Sequence, residues 1–459
     1  MDARNIQVKL DELNTSPYVY HGMGVQWDPY NVHPVTDEEW NLITKRVDFL
    51  SPYFVRLMIY APTYCRGFNL AGEPVYQFDC PAVRSLLREL DYLESHGIMV
   101  VLGEWEAPGR FGGVFEGINA GHPAWAKIIS GLLKFLIVEK GYTCIRYFNY
   151  VNEANSEWSW CADYDQWQQG IAYLHEQLRS LGIEDRIGIV GPDSVWDEGN
   201  SWLRRIAADR ETDDRIALYD VHMYPTIEEI QSGDVQRQIA EQRALVSGKD
   251  FYMTEVGMVT GKAMGDSQTY IREFCYGVLM ADVACQVING GFAGVSIWDL
   301  DDAMHNQGNG YPREDIRSLK QWGFWNSVAG RVFGQPEEER IRPHFFTWSL
   351  MCRLFKSGST VYVPQFTGAE GSALRVLAMT KDGRATMMLV NGGHEDLNVR
   401  ITLPECRSAS SIWEQYEYVQ DNRQVDADGF PVSSGRIQSE KGTVMVRLEK
   451  QSVVFLTEA

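Results

Sequence analysis

Short apolar runs alternate with longer stretches of helical spacing between residues 18 and 350. Eight of the short runs have strand length: residues 21–25, 54–59, 99–103, 145–151, 187–190, 218–222, 251–254 and 294–298. Between them, apolar residues return every three or four positions. In the segment 81–96, Val83, Leu86, Leu87, Leu90 and Leu93 share one helical face, and Gly97 ends it. Segments 123–140, 164–181 and 267–289 read the same way. Repeated strand–helix alternation predicts an α/β protein with a parallel sheet, here closed as a (β/α)₈ TIM barrel over residues 16–356. An open doubly wound sheet would place a glycine-rich phosphate loop after its first strand. The chain has Gln26-Trp27-Asp28-Pro29-Tyr30-Asn31 there instead.

Past residue 357 the period shortens. Runs at 360–364, 374–380, 385–391, 397–403, 411–418, 444–448 and 452–457 have β character and are separated by Gly, Asn and Asp. They predict an accessory antiparallel β-sandwich over residues 357–459. Residues 5–10, within the N-terminal 1–15, also alternate and are expected to add a strand to it.

Charge narrows the partners. With 42 basic against 62 acidic residues the chain carries −20, which disfavours nucleic acid, anionic membranes and polyanionic glycans and favours a neutral substrate. No stretch approaches the ~20 apolar residues of a membrane span. The start, Met-Asp-Ala-Arg-Asn, lacks the apolar centre of a secretory signal, so the expected location is cytoplasmic, or periplasmic or secreted if a signal was removed upstream. The eight cysteines, Cys65, Cys80, Cys144, Cys161, Cys275, Cys285, Cys352 and Cys406, form no C-x-x-C pair and read as free thiols. Oligomeric state is not legible.

Two runs end in glutamate: Ile-Arg-Tyr-Phe-Asn-Tyr-Val-Asn-Glu at 145–153 and Phe-Tyr-Met-Thr-Glu at 251–255. The C-terminal edge of a barrel strand is where such folds carry chemistry. A pair of carboxylates from different strands is the equipment for cleaving a glycosidic bond. Glu153 suits the acid/base role, with Asn152 beside it to bind a sugar hydroxyl. Glu255 suits the nucleophile, which a retaining mechanism needs about 5–5.5 Å from the acid.

This pattern resembles the clan A retaining glycoside hydrolases, barrels with an Asn-Glu acid/base after strand four and a Glu nucleophile ending strand seven. The organisation with a β-sandwich resembles families 39, 30 and some members of family 5. The resemblance implies further roles. Arg56, in Phe-Val-Arg-Leu, orients the nucleophile. His222 and Tyr224 match a His-x-Tyr on strand six, with the tyrosine bonding the nucleophile. Trp298 floors the sugar subsite. It also implies a retaining β-glycosidase acting on a neutral oligo- or polysaccharide without a cofactor.

Weaker expectations attach to other strand ends. Trp105, Glu106 and Trp27 are candidate sugar contacts, as are Asp28, His21, Trp196 and Asp193, while Trp158 and Trp160, just past the acid/base, are candidates to stack on a leaving-group sugar. The loop 299–305, ending in His305, lacks the spacing of a calcium loop, so no metal is expected and some of its side chains are expected to grip sugar hydroxyls. A metal-dependent hydrolase would want His-x-His on the first strand, which offers only His21-Gly-Met. The remaining alternative is a non-catalytic carbohydrate-binding barrel, because fold does not imply function.

Overall fold

A computed structural model of the chain describes residues 3–161, 163–197, 199–263, 265–404 and 411–459. Eight parallel strands close into a barrel in chain order: Gly22–Gln26, Phe54–Ile59, Met99–Glu104, Ile145–Asn149, Gly188–Val195, Ile216–Met223, Phe251–Val256 and Gly294–Ile297. The last strand pairs with the first, so no edge is left open.

Side-chain alternation divides each strand between two cores. Phe54, Val101, Val190, Leu218, Tyr252 and Ala293 point inward and plug the lower barrel. Val55, Leu57, Leu102, Phe148, Tyr219 and Met253 point outward into the main core beneath the helices. Gly24 on the first strand admits the Phe54 ring, since a Cβ there would lie 2.6 Å from it. The site is built above this plug.

The helices follow local signals. Asp37–Leu50 starts with a capping box, Thr36 accepting from the Glu39 N–H and Glu39 answering at the Thr36 N–H. Pro81–Ser95 begins with proline in its first turn and buries Val83, Leu86, Leu90 and Leu93. The helix expected over 267–289 begins only at Phe274. Ser267–Gln268 pairs with Lys262–Ala263 instead, and the Gln268 side chain caps a short 3₁₀ turn at Thr269–Arg272. The segment 123–140 likewise divides, into an α-helix at Pro123–Leu133 and a π-helical stretch at Lys134–Glu139.

The second unit is a two-sheet sandwich. One sheet has six antiparallel strands, in the order Thr360–Tyr362, Leu374–Lys381, Arg384–Asn391, Ser452–Glu458, Ile412–Tyr418 and Gly435–Gln438. The other has four, in the order Gln365–Thr367, Arg4–Lys9, Leu397–Thr402 and Thr443–Leu448. This second sheet is not purely antiparallel, because Arg4–Lys9 runs parallel to Leu397–Thr402. A strand arriving from the far end of the chain need not form a hairpin. Ile6, Val8, Leu389, Val399, Trp413, Val446 and Leu456 pack between the sheets. The outer face of the larger sheet contributes Met388, Tyr418 and Phe455 to the barrel's own core, and Tyr418 donates to the Phe274 carbonyl at 2.8 Å.

Seven cysteines are described and none is in a disulfide; Cys406 lies outside the described residues. No described helix is long and apolar enough to cross a membrane.

Ile6 is only 1% exposed in the sandwich interior. Ile6→Ala is therefore expected to lower stability by about 2–5 kcal/mol in urea unfolding. An unchanged midpoint would mean that the N-terminal strand is not integral to the sandwich.

Candidate active site

The strand parity that builds the plug also selects which residues reach the barrel mouth. Above Phe54 come Arg56 and Met58. Above Leu218 come Asp220, His222 and Tyr224. Above Gly24 come Gln26 and Asp28. Glu255 breaks the alternation, since it lies three positions after the inward Tyr252. The ladder slips here: Tyr252 faces Asp220 while Glu255 faces His222, three steps against two. This β-bulge turns Glu255 into the barrel, the kind of re-aiming that bulges supply beside active sites. Asp193 lies at a second irregularity, with φ +52°.

Glu153 is placed differently. The fourth strand ends at Asn149 rather than running to residue 151. The chain then turns, with the Asn152 N–H donating to the Glu104 carbonyl at 2.9 Å and Glu153 itself at φ +45°. The acid therefore sits in a loop four residues past the strand.

A cavity of about 810 Å³ opens above these residues, lined among others by Asn152, Glu153, Trp158, Tyr224, Glu255 and Trp298. One oxygen of Glu153, one oxygen of Glu255 and one nitrogen of His222 all lie within 4.8 Å of one another. Glu255 Oε2 accepts from Arg56 at 2.8 Å, and its Oε1 accepts from the Tyr224 hydroxyl at 2.6 Å. Glu153 Oε2 accepts from the Trp158 indole N–H at 3.1 Å.

Arg56 is fully buried. It donates also to Gln26 Oε1 at 3.0 Å, to Asp193 Oδ2 at 3.3 Å and to Asn152 Oδ1. Burial alone would lower its pKa; Asp193 and Glu255 outweigh that and raise it. His222 is buried too, and burial again opposes its charge, but Asp193 and Glu255 lift its imidazole well above the ordinary histidine value. Held as a cation, His222 donates from Nε2 to Asp193 at 3.1 Å and from Nδ1 toward Glu153 at 3.4 Å. Asp193 is correspondingly held below the usual carboxylate range: burial raises it, and His222 and Arg56 more than offset that. Burial pushes Asp220 up to about 7. It also raises Glu255, against the downward pull of His222 and Arg56.

Aromatic rings build the remaining wall. Trp298 stacks on His305 at 5.0 Å and 22°, and Trp105 meets Trp298 edge-on at 5.5 Å. His305 Nε2 lies 2.9 Å from Asp28 Oδ2. Lys262 and Lys320 both pair with Asp266 on the facing rim, at 3.0 and 2.7 Å.

The structure thus brings Glu153, Glu255, Arg56, Asn152, His222, Tyr224, Trp298, Trp105 and Trp158 together, with Asp28 and Glu106 also at the cavity. Trp27 is a correction. It has the outward parity of Val25 and is buried against Trp40 and Tyr92 beneath the helices, away from the cavity. His21 is another: it immediately precedes the first strand, at the opposite mouth, beside Tyr252 and Asp250. Trp196 packs on the main core. Sequence reasoning missed Gln26, Asp220 and the Lys262–Asp266–Lys320 clamp, while His305 belongs to the 299–305 loop expected to contact sugar. Parity along the first and sixth strands could have found the first two; the others lie on loops.

Glu153, His222 and Glu255 are close enough to share a metal ion. The donor set suits one poorly, because His222 is held protonated and the Arg56 guanidinium already occupies Glu255.

No protein-family model matches the chain, and no curated protein sequence does. Its fold is similar to that of a GH30 endoxylanase from Clostridium papyrosolvens, at 14% identity and a TM-score of 0.67, covering 99% of both chains. It is similar also to the catalytic domain of GH30 xylanase C from Talaromyces cellulolyticus, at 14% identity and 0.67, covering 99% of this chain and 100% of that one. A GH39 β-xylosidase from Caulobacter crescentus aligns at 16% identity and 0.64, covering 99% of this chain and 100% of that one. At such identities the likeness speaks for the barrel-and-sandwich fold.

The charged network makes stability depend on pH. His222 has a folded pKa above its unfolded value of about 6.5. Its contribution is therefore full below that pH and drains away as pH rises through the folded value. The stability gap between the native chain and His222→Gln is expected to be largest near pH 6 and to narrow above it, in denaturant titrations across pH. A gap that widens with pH would contradict a cationic His222.

Proposed function

We propose that the chain is a retaining β-glycosidase of the clan A type, with Glu255 as nucleophile and Glu153 as acid/base. The observation that carries this reading is the approach of Glu153 and Glu255 oxygens within 4.8 Å across one cavity. That spacing suits direct attack on an anomeric carbon and leaves no room for the intervening water of an inverting enzyme.

In the first step a Glu255 oxygen bonds the anomeric carbon. The glycosidic C–O bond breaks, its electron pair stays on the leaving oxygen, and Glu153 delivers a proton there. In the second step water attacks the same carbon and gives its proton to Glu153, and the Glu255–carbon bond breaks. His222 and Arg56 offset part of the rise that burial imposes on Glu255, and the Arg56 and Tyr224 hydrogen bonds fix the position of its carboxyl group. Asn152 lines the same cavity and has a side-chain oxygen held by Arg56, which leaves its amide N–H₂ to meet a sugar hydroxyl. Trp298, backed by His305, offers a flat face to the sugar ring.

The substrate class follows from charge and likeness together. The strongly acidic chain favours a neutral glycan. The xylanases and the β-xylosidase of similar fold make xylo-configured substrates the first to try.

Glu255→Gln should reduce turnover of nitrophenyl β-glycosides by at least about 10³-fold. Glu153→Ala should spare activated aryl glycosides far more than unactivated ones, with azide accelerating the variant and yielding a β-glycosyl azide. Full activity in Glu255→Gln, or equal losses on both substrate types in Glu153→Ala, would overturn the assignment. A native chain inactive on the whole panel but binding oligosaccharides would favour the non-catalytic barrel.

A further inference from the structure

The chain places a second aromatic residue where neither burial nor backbone preference explains it. Trp160 is 48% exposed. It also adopts the left-handed conformation, φ +58° and ψ +26°. An L side chain is strained there, and a bulky ring more than most. Exposure of an indole gains nothing for folding, and glycine would remove the strain. Strain of this kind is kept at ligand sites when the side chain is needed outside the core.

Trp160 borders a groove lined by Gly109, Gly117, Ile118, Asn119, Glu157 and Trp160 among others. Two chain segments line both the groove and the catalytic cavity. The segment beginning at Glu106 lines the cavity and reaches the groove at Gly109. The segment Glu157–Trp160 gives Trp158 to the cavity and Trp160 to the groove. The two segments are tied together, since the Ala107 N–H donates to the Ser159 carbonyl at 3.2 Å and Arg110 donates to the Trp158 carbonyl at 3.4 Å.

Direction follows from chemistry. The leaving group must lie on the side of the acid that protonates it. Trp158 bonds that acid, Glu153, through its indole N–H. The segment that carries Trp158 to the acid carries Trp160 to the groove, which associates the groove with the leaving-group side. Trp158 and Trp160 are two residues apart, at most about 7 Å between Cα atoms, a separation that adjacent units of a chain could bridge.

We infer that Trp160 and its groove form a binding subsite for a sugar unit of the leaving group, beyond the one at Trp158. This rests on the glycosidase reading and narrows it: the preferred substrate has at least two sugar units downstream of the cleaved bond. Neutral polar groups suit such an occupant, and Asn119 and Gln166 line the groove beside the indole.

The test compares kcat/KM on xylo- and cello-oligosaccharides of two to six units with kcat/KM on the matching nitrophenyl monoglycosides. In the native enzyme, kcat/KM should rise with the number of downstream units. Trp160→Gly should lower the ratio of oligosaccharide to monoglycoside kcat/KM about ten-fold, while its melting temperature stays level or rises because the strain is gone. Trp160→Tyr should restore most of the ratio. A Trp160→Gly ratio equal to that of the native enzyme overturns the inference. So does a native enzyme that cleaves monoglycosides but gains nothing from added downstream units. A native enzyme that cleaves no glycoside at all removes the glycosidase reading itself, a result distinct from either.

Discussion

A buried guanidinium sets the layout of the barrel mouth. Arg56 is sealed from solvent, and an ion so placed costs several kcal/mol unless other groups replace its water. The replacements come from four places in the chain: Gln26 on the first strand, Asn152 after the fourth, Asp193 on the fifth and Glu255 on the seventh. Each of those side chains is fixed by the need to satisfy Arg56. Two cations, Arg56 and His222, face two carboxyl groups, Asp193, held below the usual carboxylate range, and Glu255, raised by burial. Burial pushes Asp220 up to about 7 and raises Glu255 as well. Stripping one partner from such a cluster costs about 3–5 kcal/mol, a large part of the ~5–15 kcal/mol that holds a typical domain together. Folding and the arrangement of the site are therefore one problem for this chain.

The two central glutamates are held in contrasting ways that suit their proposed tasks. Glu255 is on a strand, aimed by a bulge, and bonded at both oxygens, with 6% of its side chain exposed. A nucleophile needs such fixed geometry against one carbon atom. Glu153 is in a loop, 14% exposed, with weaker contacts from Trp158 and His222. An acid/base has to meet a leaving oxygen in one step and a water in the next, and a loop position gives it that reach.

Much of this was legible in the sequence because barrel strands are doubly constrained. Apolar runs bounded by helical stretches marked all eight strands, and the two glutamates stood out as charges closing such runs. Strand parity was legible too, and applied to the first strand it places Trp27 with Val25 under the helices and Gln26 and Asp28 in the mouth. The bulge at Glu255 was not legible, since it depends on the registers of the neighbouring strands, and strict alternation would have turned that carboxylate outward. Asp193 was legible as a strand-end candidate, but its pairing with Arg56 and His222 depends on the irregular fifth strand. His305 and the Lys262–Asp266–Lys320 clamp come from loops, where position follows from tertiary contacts that no local period reports. The parallel pairing of Arg4–Lys9 with Leu397–Thr402 joins residues from opposite ends of the chain and leaves no local trace.

The central claim is that two carboxylates stand close enough for one to bond the sugar while the other handles the proton. The stereochemistry of the first-formed product reports that distance most directly. Proton NMR of the reducing sugar released from a β-glycoside, recorded before mutarotation, should show the β anomer appearing first. Initial release of the α anomer would mean that water, and not Glu255, attacks the anomeric carbon, and the account would fail.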